Sequence, residues 1–270
     1  MALEALRKEA VMFLSHMNWK KAMSILWLLK LPSLSAVILS CCFAQTPTLT
    51  TSDVSRLIVE LRTARTITAH NAGQQLAEMG ASAQPAFPAL VVAARTRKDI
   101  RDVAIYAIGR IAESLGRRLG TLEAEAALPI LLTALSDTRD RVREVAAYAV
   151  GRLAAALVGS NDSRVERQVE LALISRISDR QLKVQRAAVE ALGYFGEYNI
   201  SASYAPNAAA GLAEALTNSN RKSGADAQQV QIDATAALGK FRSLAGIAVP
   251  QLRIALQSGI PAVQRSAAYA

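Results

Sequence analysis

Cysteine and histidine are nearly missing from this chain, with two of each in 270 residues, and the cysteines are adjacent at Cys41 and Cys42. That excludes a disulfide-stapled fold and leaves most metal sites without ligands. Rings are scarce as well, at 5% Phe, Trp and Tyr, which argues against a β-sandwich of alternating β-branched and aromatic strands. After Ala44 there is no cysteine, and His70 stands alone. A thiol nucleophile is therefore excluded, and His70 reads as a solvated or packed side chain. The sequence has no Gly-x-Ser-x-Gly elbow, no phosphate-cradling glycine loop and no dinucleotide fingerprint after a strand. Acid pairs are few. Glu123 and Glu125 diverge on a helix, while Glu166 and Glu170 share a face that is expected to be solvated. No catalytic residue, cofactor or metal is expected.

What the chain does have is alanine, 52 residues of it, within a composition that is 51% apolar and 20% charged. These values belong to a folded chain, and the alanine excess suits closely packed helices. Basic residues outnumber acidic ones by 31 to 22, a formal charge of +9.

The first 44 residues differ from the rest. Lys20, Lys21 and Lys30 precede an apolar run from Leu31 to Ala44, and a polar stretch, Gln45-Thr46-Pro47-Thr48, follows. Positive charge, a short apolar core and small residues before a polar start make an export signal. Cleavage after Ala44 would leave an extracytoplasmic chain, periplasmic or secreted. Residues 22–44 are also long enough for an uncleaved membrane anchor. Ile38-Leu39-Ser40-Cys41 is an imperfect lipoprotein box, and a capping helix is a further reading. Met17 and Met23 are alternative starts. Residues 45–51 read as a short linker. Membrane contact is expected only through the N-terminal segment.

Internal self-similarity governs the remainder. Ala104-Ile105-Tyr106-Ala107-Ile108-Gly109-Arg110 matches Ala146-Ala147-Tyr148-Ala149-Val150-Gly151-Arg152 at a shift of 42, and another 42 leads to Ala188-Val189-Glu190-Ala191-Leu192-Gly193-Tyr194. Ala234 to Phe241 and Ala267 to Ala270 are later copies, and Ala72 to Met79 is a weaker early one. A second helical segment precedes each copy, opening at Pro88, Pro129 or Pro250, where a first-turn proline is tolerated. Val142, Ala146, Ala149, Val150 and Leu153 fall on one apolar face at helical spacing. Such hairpins cannot bury their own faces, and stacking them builds a superhelix. The expected fold is all-α, an α-solenoid of about six hairpins over 52–270. The last hairpin reads as incomplete, because Ala267 to Ala270 matches only the first half of its predecessor. Glu113 to Glu125, Val158 to Gln168, and Asn218 to Gln229 read as exposed connections.

The pattern resembles HEAT repeats, particularly the short type of bilin-lyase-related proteins. The features that carry the resemblance are the helix-A prolines, the turn acids Asp137 and Asp179, the pairs Ile100-Arg101 and Val142-Arg143, and the Ala-x-x-Ala-Leu-Gly core. The resemblance implies a ladder between turn Asp and helix-B Arg of neighbouring repeats. Gln185, Gln231 and Gln264 stand where that Arg is expected, so the ladder should fail in the C-terminal half.

The repeat also aligns a candidate binding surface. Arg110, Arg152, Tyr194 and Lys240 follow the core glycines, and Tyr106, Tyr148, Glu190 and Ala236 stand four residues earlier, which puts Tyr106 and Tyr148 on the same helix face as Arg110 and Arg152. In proteins resembling this one the second helices line the concave surface. Rings and cations would then face a protein or peptide partner, an acidic one by charge. Packing of the arginine stems over the alanine core is the competing reading. The arginines near residues 95–101 and 139–143 alternate with acids, which dilutes any field for nucleic acid. The expected role is an exported, non-catalytic interaction scaffold. The alternatives are an enzyme resembling the bilin lyases and isomerases, and a nucleic-acid binder resembling HEAT-like glycosylases.

Overall fold

Val142, Ala146, Ala149, Val150 and Leu153, the stripe read from the repeat, are each 1% exposed or less. They lie in a computed structural model that describes residues 51–157, 163–198, 205–220 and 224–270. The export signal, anchor, lipidation and capping-helix readings of residues 1–44 all fall outside the described residues.

Twelve α-helices run through the described chain: α1 (Thr51–Thr63), α2 (Thr66–Met79), α3 (Phe87–Thr96), α4 (Arg101–Leu115), α5 (Thr121–Ala134), α6 (Asp140–Leu157), α7 (Ser163–Ile177), α8 (Leu182–Tyr198), α9 (Ala205–Asn220), α10 (Ala225–Phe241), α11 (Val249–Leu256) and α12 (Pro261–Tyr269). No strand occurs among the described residues. Consecutive helices pair as hairpins. Second helices then pack in series, α2 on α4, α4 on α6, α6 on α8, α8 on α10 and α10 on α12. The fold is an α-solenoid.

Alanine and glycine set the distance between second helices. A Cβ placed on Gly151 would lie 2.6 Å from the Ala191 Cα, and one on Gly109 would lie 3.0 Å from the Ala149 Cα. The glycine of each Ala-x-x-Ala-Leu-Gly motif is thus where one backbone meets the next. Hairpin ends use glycine differently. Gly80 and Gly116 close α2 and α4 with φ of 53° and 52°, a region that side chains disfavour.

Two expectations need correction. Pro88 and Pro250 sit in the first turns of α3 and α11, but Pro129 lies inside α5. There the helix starts upstream at Thr121, where the Glu123 carboxylate reaches back and accepts from the Gly120 amide at 2.9 Å, the half of a capping box that a glycine N-cap allows. The carbonyl that Pro129 cannot bond belongs to Glu125, an exposed residue. For the same reason Glu113 to Glu125 is not an open loop: α4 continues to Leu115, a 3₁₀ turn spans Gly116–Arg118, and α5 follows.

The turn ladder forms in the first half. Arg101 Nη1 donates to Asp137 Oδ2 at 2.9 Å. Arg143 donates from Nε and Nη2 to both oxygens of Asp179, at 2.8 and 2.9 Å. Each arginine also binds a carbonyl before its own helix, Arg101 that of Ala94 and Arg143 that of Asp137. Gln185, Gln231 and Gln264 keep only this local half, donating to the carbonyls of Asp179, Ser219 and Ser258. A glutamine is long enough to staple its own turn and too short and neutral to bridge to the next.

Candidate protein-binding face

The six residues singled out by the repeat lie on second helices α4, α6, α8 and α10, and five of them form one continuous stack. Tyr106 and Tyr148 have ring centroids 5.9 Å apart, tilted by 32°. The Arg152 guanidinium lies between Tyr148 and Tyr194, 4.7 Å from one centroid and 3.5 Å from the other. Lys240 Nζ sits 4.4 Å from the Tyr194 ring centre. Stacking on successive hairpins brings together residues 42 to 46 apart in sequence, because each follows or precedes its glycine by the same count.

Acids thread through the same face. Glu113 accepts from Arg110 Nη1 at 2.7 Å and from the Tyr148 hydroxyl at 2.8 Å. It lies 3.4 Å from Arg152 Nε as well, and Glu190 accepts from Arg152 Nη2 at 2.7 Å. Glu197 lies 2.9 Å from Lys240 Nζ. Burial and the hydrogen bond to Glu113 raise the Tyr148 hydroxyl above its ordinary pKa. Contact with Tyr148, partly offset by burial, helps keep Arg110 charged.

Exposure separates the residues. The Arg152 side chain keeps 6% of its surface and Nη1 is buried without a hydrogen-bond partner, whereas Arg110 keeps 42% and Lys240 36%. Arg152 is therefore a clasp inside the stack, and for it the packing reading applies. Arg110, Lys240 and the half-buried rings of Tyr106, Tyr148 and Tyr194 face outward.

Clefts flank the stack. One of about 480 Å³ lies among α2, α4 and α6, with His70, Glu78, Asp102, Tyr106, Arg110 and Arg141 in its walls. A second, of about 280 Å³, shares Tyr106 and Arg141 and adds Glu144, Tyr148, Lys183 and Glu190. A third, of about 650 Å³, lies at the other end against Glu197, Lys240 and Tyr269. The repeat pattern put Glu190 in line with Tyr106 and Tyr148 but did not flag Glu113 or Glu197 as parts of this face. Their signal was modest: Glu113 stands three after Arg110, and Glu197 three after Tyr194.

Among the described residues no group of three or more His, Cys, Asp or Glu side chains could hold a metal ion. No described helix is long and apolar enough to cross a membrane. Glu170, expected to be solvated beside Glu166, is instead fully buried.

Two stretches of the chain match models of known repeat families. Residues 99–153 match the HEAT-like repeat family, and residues 184–218 match the PBS lyase HEAT-like repeat. No curated protein matches the chain. Among solved structures, an engineered protein is similar at 22% identity and TM-score 0.57, over 80% of this chain and 96% of that one. A designed armadillo repeat protein in complex with the peptide (KR)4 is similar at 18% identity and TM-score 0.54, over 80% and 97%. Importin beta is similar at 14% identity and TM-score 0.54, over 79% of this chain and 30% of that one.

Proposed function

We propose that this array of HEAT-like repeats is a non-catalytic scaffold that binds a protein or peptide along its second-helix face. The observation that carries the reading is the stack from Tyr106 to Lys240, which runs over four hairpins with Arg110 and Lys240 half-exposed at its ends. Rings fixed by neighbours offer contact area at little entropic cost. The designed armadillo protein of similar fold holds a peptide of lysine and arginine. Here the charged groups of the stack itself are cations, so a partner with acidic side chains fits, displacing Glu113 and Glu197 from Arg110 and Lys240.

The test uses a fluorescein-labelled peptide of alternating Glu and Leu, with alternating Lys and Arg as the control. The full chain should bind the acidic peptide in preference. The pair Arg110→Ala and Lys240→Ala should weaken that binding at least tenfold, in a salt-sensitive manner, with the melting temperature nearly unchanged. Equal binding of both peptides, or an unchanged affinity in the double variant, would sink the reading.

Export belongs to the same proposal and is supported by the Lys-flanked apolar run ending at Ala44. Intact mass after expression in a host with export machinery should give a chain beginning near Gln45. A chain that keeps Met1 and stays in the cytosol would refute it.

A further inference from the structure

Core positions recur along the array, and at one of them an acid replaces an apolar side chain. Leu131 of α5 and Leu135 just after it match Leu173 and Ile177 of α7 at the shift of 42, which puts Glu170 where Leu128 stands. Leu128 is 5% exposed and Glu170 is 0% exposed. Both carboxylate oxygens of Glu170 are shut off from solvent without a hydrogen-bond partner. Ionising a carboxyl in such surroundings is unfavourable. Burial pushes the Glu170 carboxyl up to about 7, against smaller opposing pulls from the Ala208 amide of α9 and the charge of Arg167.

The same seam lacks a ladder rung. Hairpins two and three are tied by Arg101–Asp137, and hairpins three and four by Arg143–Asp179. Between hairpins four and five the position belongs to Gln185, which turns back on its own turn. The side-chain hydrogen bond that crosses there between the first-helix layers, among the described residues, runs from the Ser178 hydroxyl to Glu214 at 3.2 Å, beside the close packing of Gly211 of α9 on Ile174 and Ile177 of α7. The second helices stay joined: Arg186 donates to Asp233 at 3.1 Å, and Lys240 meets Glu197 and Tyr194. None of the titratable groups on the packed helices reaches the Glu170 oxygens. Arg152 of α6 and Arg186, Glu190 and Glu197 of α8 are held in ion pairs. Lys183 and Tyr194 of α8, Glu214 of α9 and Arg143, Glu144 and Tyr148 of α6 are further titratable groups on these helices.

We propose that Glu170 makes the seam between hairpins four and five a proton-controlled hinge. Protonated, it packs as a neutral core side chain and holds α7 against α9. Ionised, it must take up water or swing outward, and α7 parts from α9 while α8 and α10 remain in contact. The raised pKa fixes the direction: opening is least favoured below the ordinary carboxyl range, rises with pH through the interval up to about 7, and then levels off.

Hydrogen exchange of the full chain at pH 5 and pH 8, corrected for intrinsic rates, reads this opening helix by helix. In the unaltered protein, opening of α7 and α9 should rise on the order of 100-fold between the two pH values, as the shift from 4.5 to about 7 implies. Protection of α4 and α6 should stay level. Glu170→Gln should abolish the rise, and Glu170→Leu, which copies Leu128, serves the same purpose if the amide variant folds poorly. The same rise in either folded variant would overturn the hinge. So would a rise spread evenly over all helices.

Discussion

Arg143 grips Asp179 through two nitrogens, at 2.8 and 2.9 Å, with 6% and 4% of the two side chains left exposed. The pair joins hairpin three to hairpin four at their turns, and Arg143 also holds the carbonyls of Asp137 and Thr138. Removing one partner leaves the other charge buried. Arg143→Ala should therefore cost about 3–5 kcal/mol. Arg143→Gln should cost less, because an amide at this position can keep the local carbonyl, as Gln185 does. Urea denaturation of the three proteins checks the order, and equal losses would contradict it.

Acid should weaken the same joint. Burial alone would raise the Asp179 carboxyl, but hydrogen bonds from Arg143 and the Gln181 amide, with the charges of Arg143 and Arg176, hold it below its ordinary value. Asp137 is lowered against the same burial by the Arg139 amide and the Arg101 and Arg139 side chains. A depressed folded pKa contributes stability that is present above the unfolded value, near 3.8, and is lost as pH falls through the folded one. Melting temperatures should drop below pH 4, and the drop should be smaller in Arg143→Gln.

Gly151→Ala should destabilise the array despite the better helix propensity of alanine. The new Cβ would lie 2.6 Å from the Ala191 Cα, a backbone atom that cannot rotate away. Overpacking of that kind costs about 1–3 kcal/mol, against about 1 kcal/mol gained in propensity. Thermal melting decides the sign, and a higher midpoint would show that the helices can slide apart.

Arg152→Ala should act on stability rather than on surface affinity. It opens a gap between Tyr148 and Tyr194 and removes the cation from both rings, a loss of about 1–3 kcal/mol. Arg110→Ala, at a side chain 42% exposed, should stay within about 0.5 kcal/mol of the unaltered protein. Denaturant midpoints for the two single variants separate clasp from surface.

The fold was legible because its signals are local and repeated: the glycine and the alanine pair recur from hairpin to hairpin, at 42 residues twice and then at 46, and stacking is the way to bury the faces they define. The stack was legible for a related reason, since equal offsets from each glycine fall in line once hairpins pile up. Exposure was not. Whether Arg152 is open depends on Tyr194, supplied by the next hairpin. Glu170 shares a helix face with Glu166, and its burial depends on α9 covering it. Its match to Leu128 at the 42-residue shift was the clue available, and it marks a buried position only once Leu128 is known to lie in the core.

The backbone contacts at Gly109 and Gly151 bear on what the face can recognise. Because one main chain rests on the next, the spacing of the helices that carry Tyr106, Tyr148 and Tyr194 is set by backbone contact and not by side-chain rearrangement. Under the binding role proposed here, the face would work as a ruler with fixed graduations. A ligand whose groups recur at the helix spacing would engage successive hairpins at once, and one with the right chemistry at the wrong pitch would not.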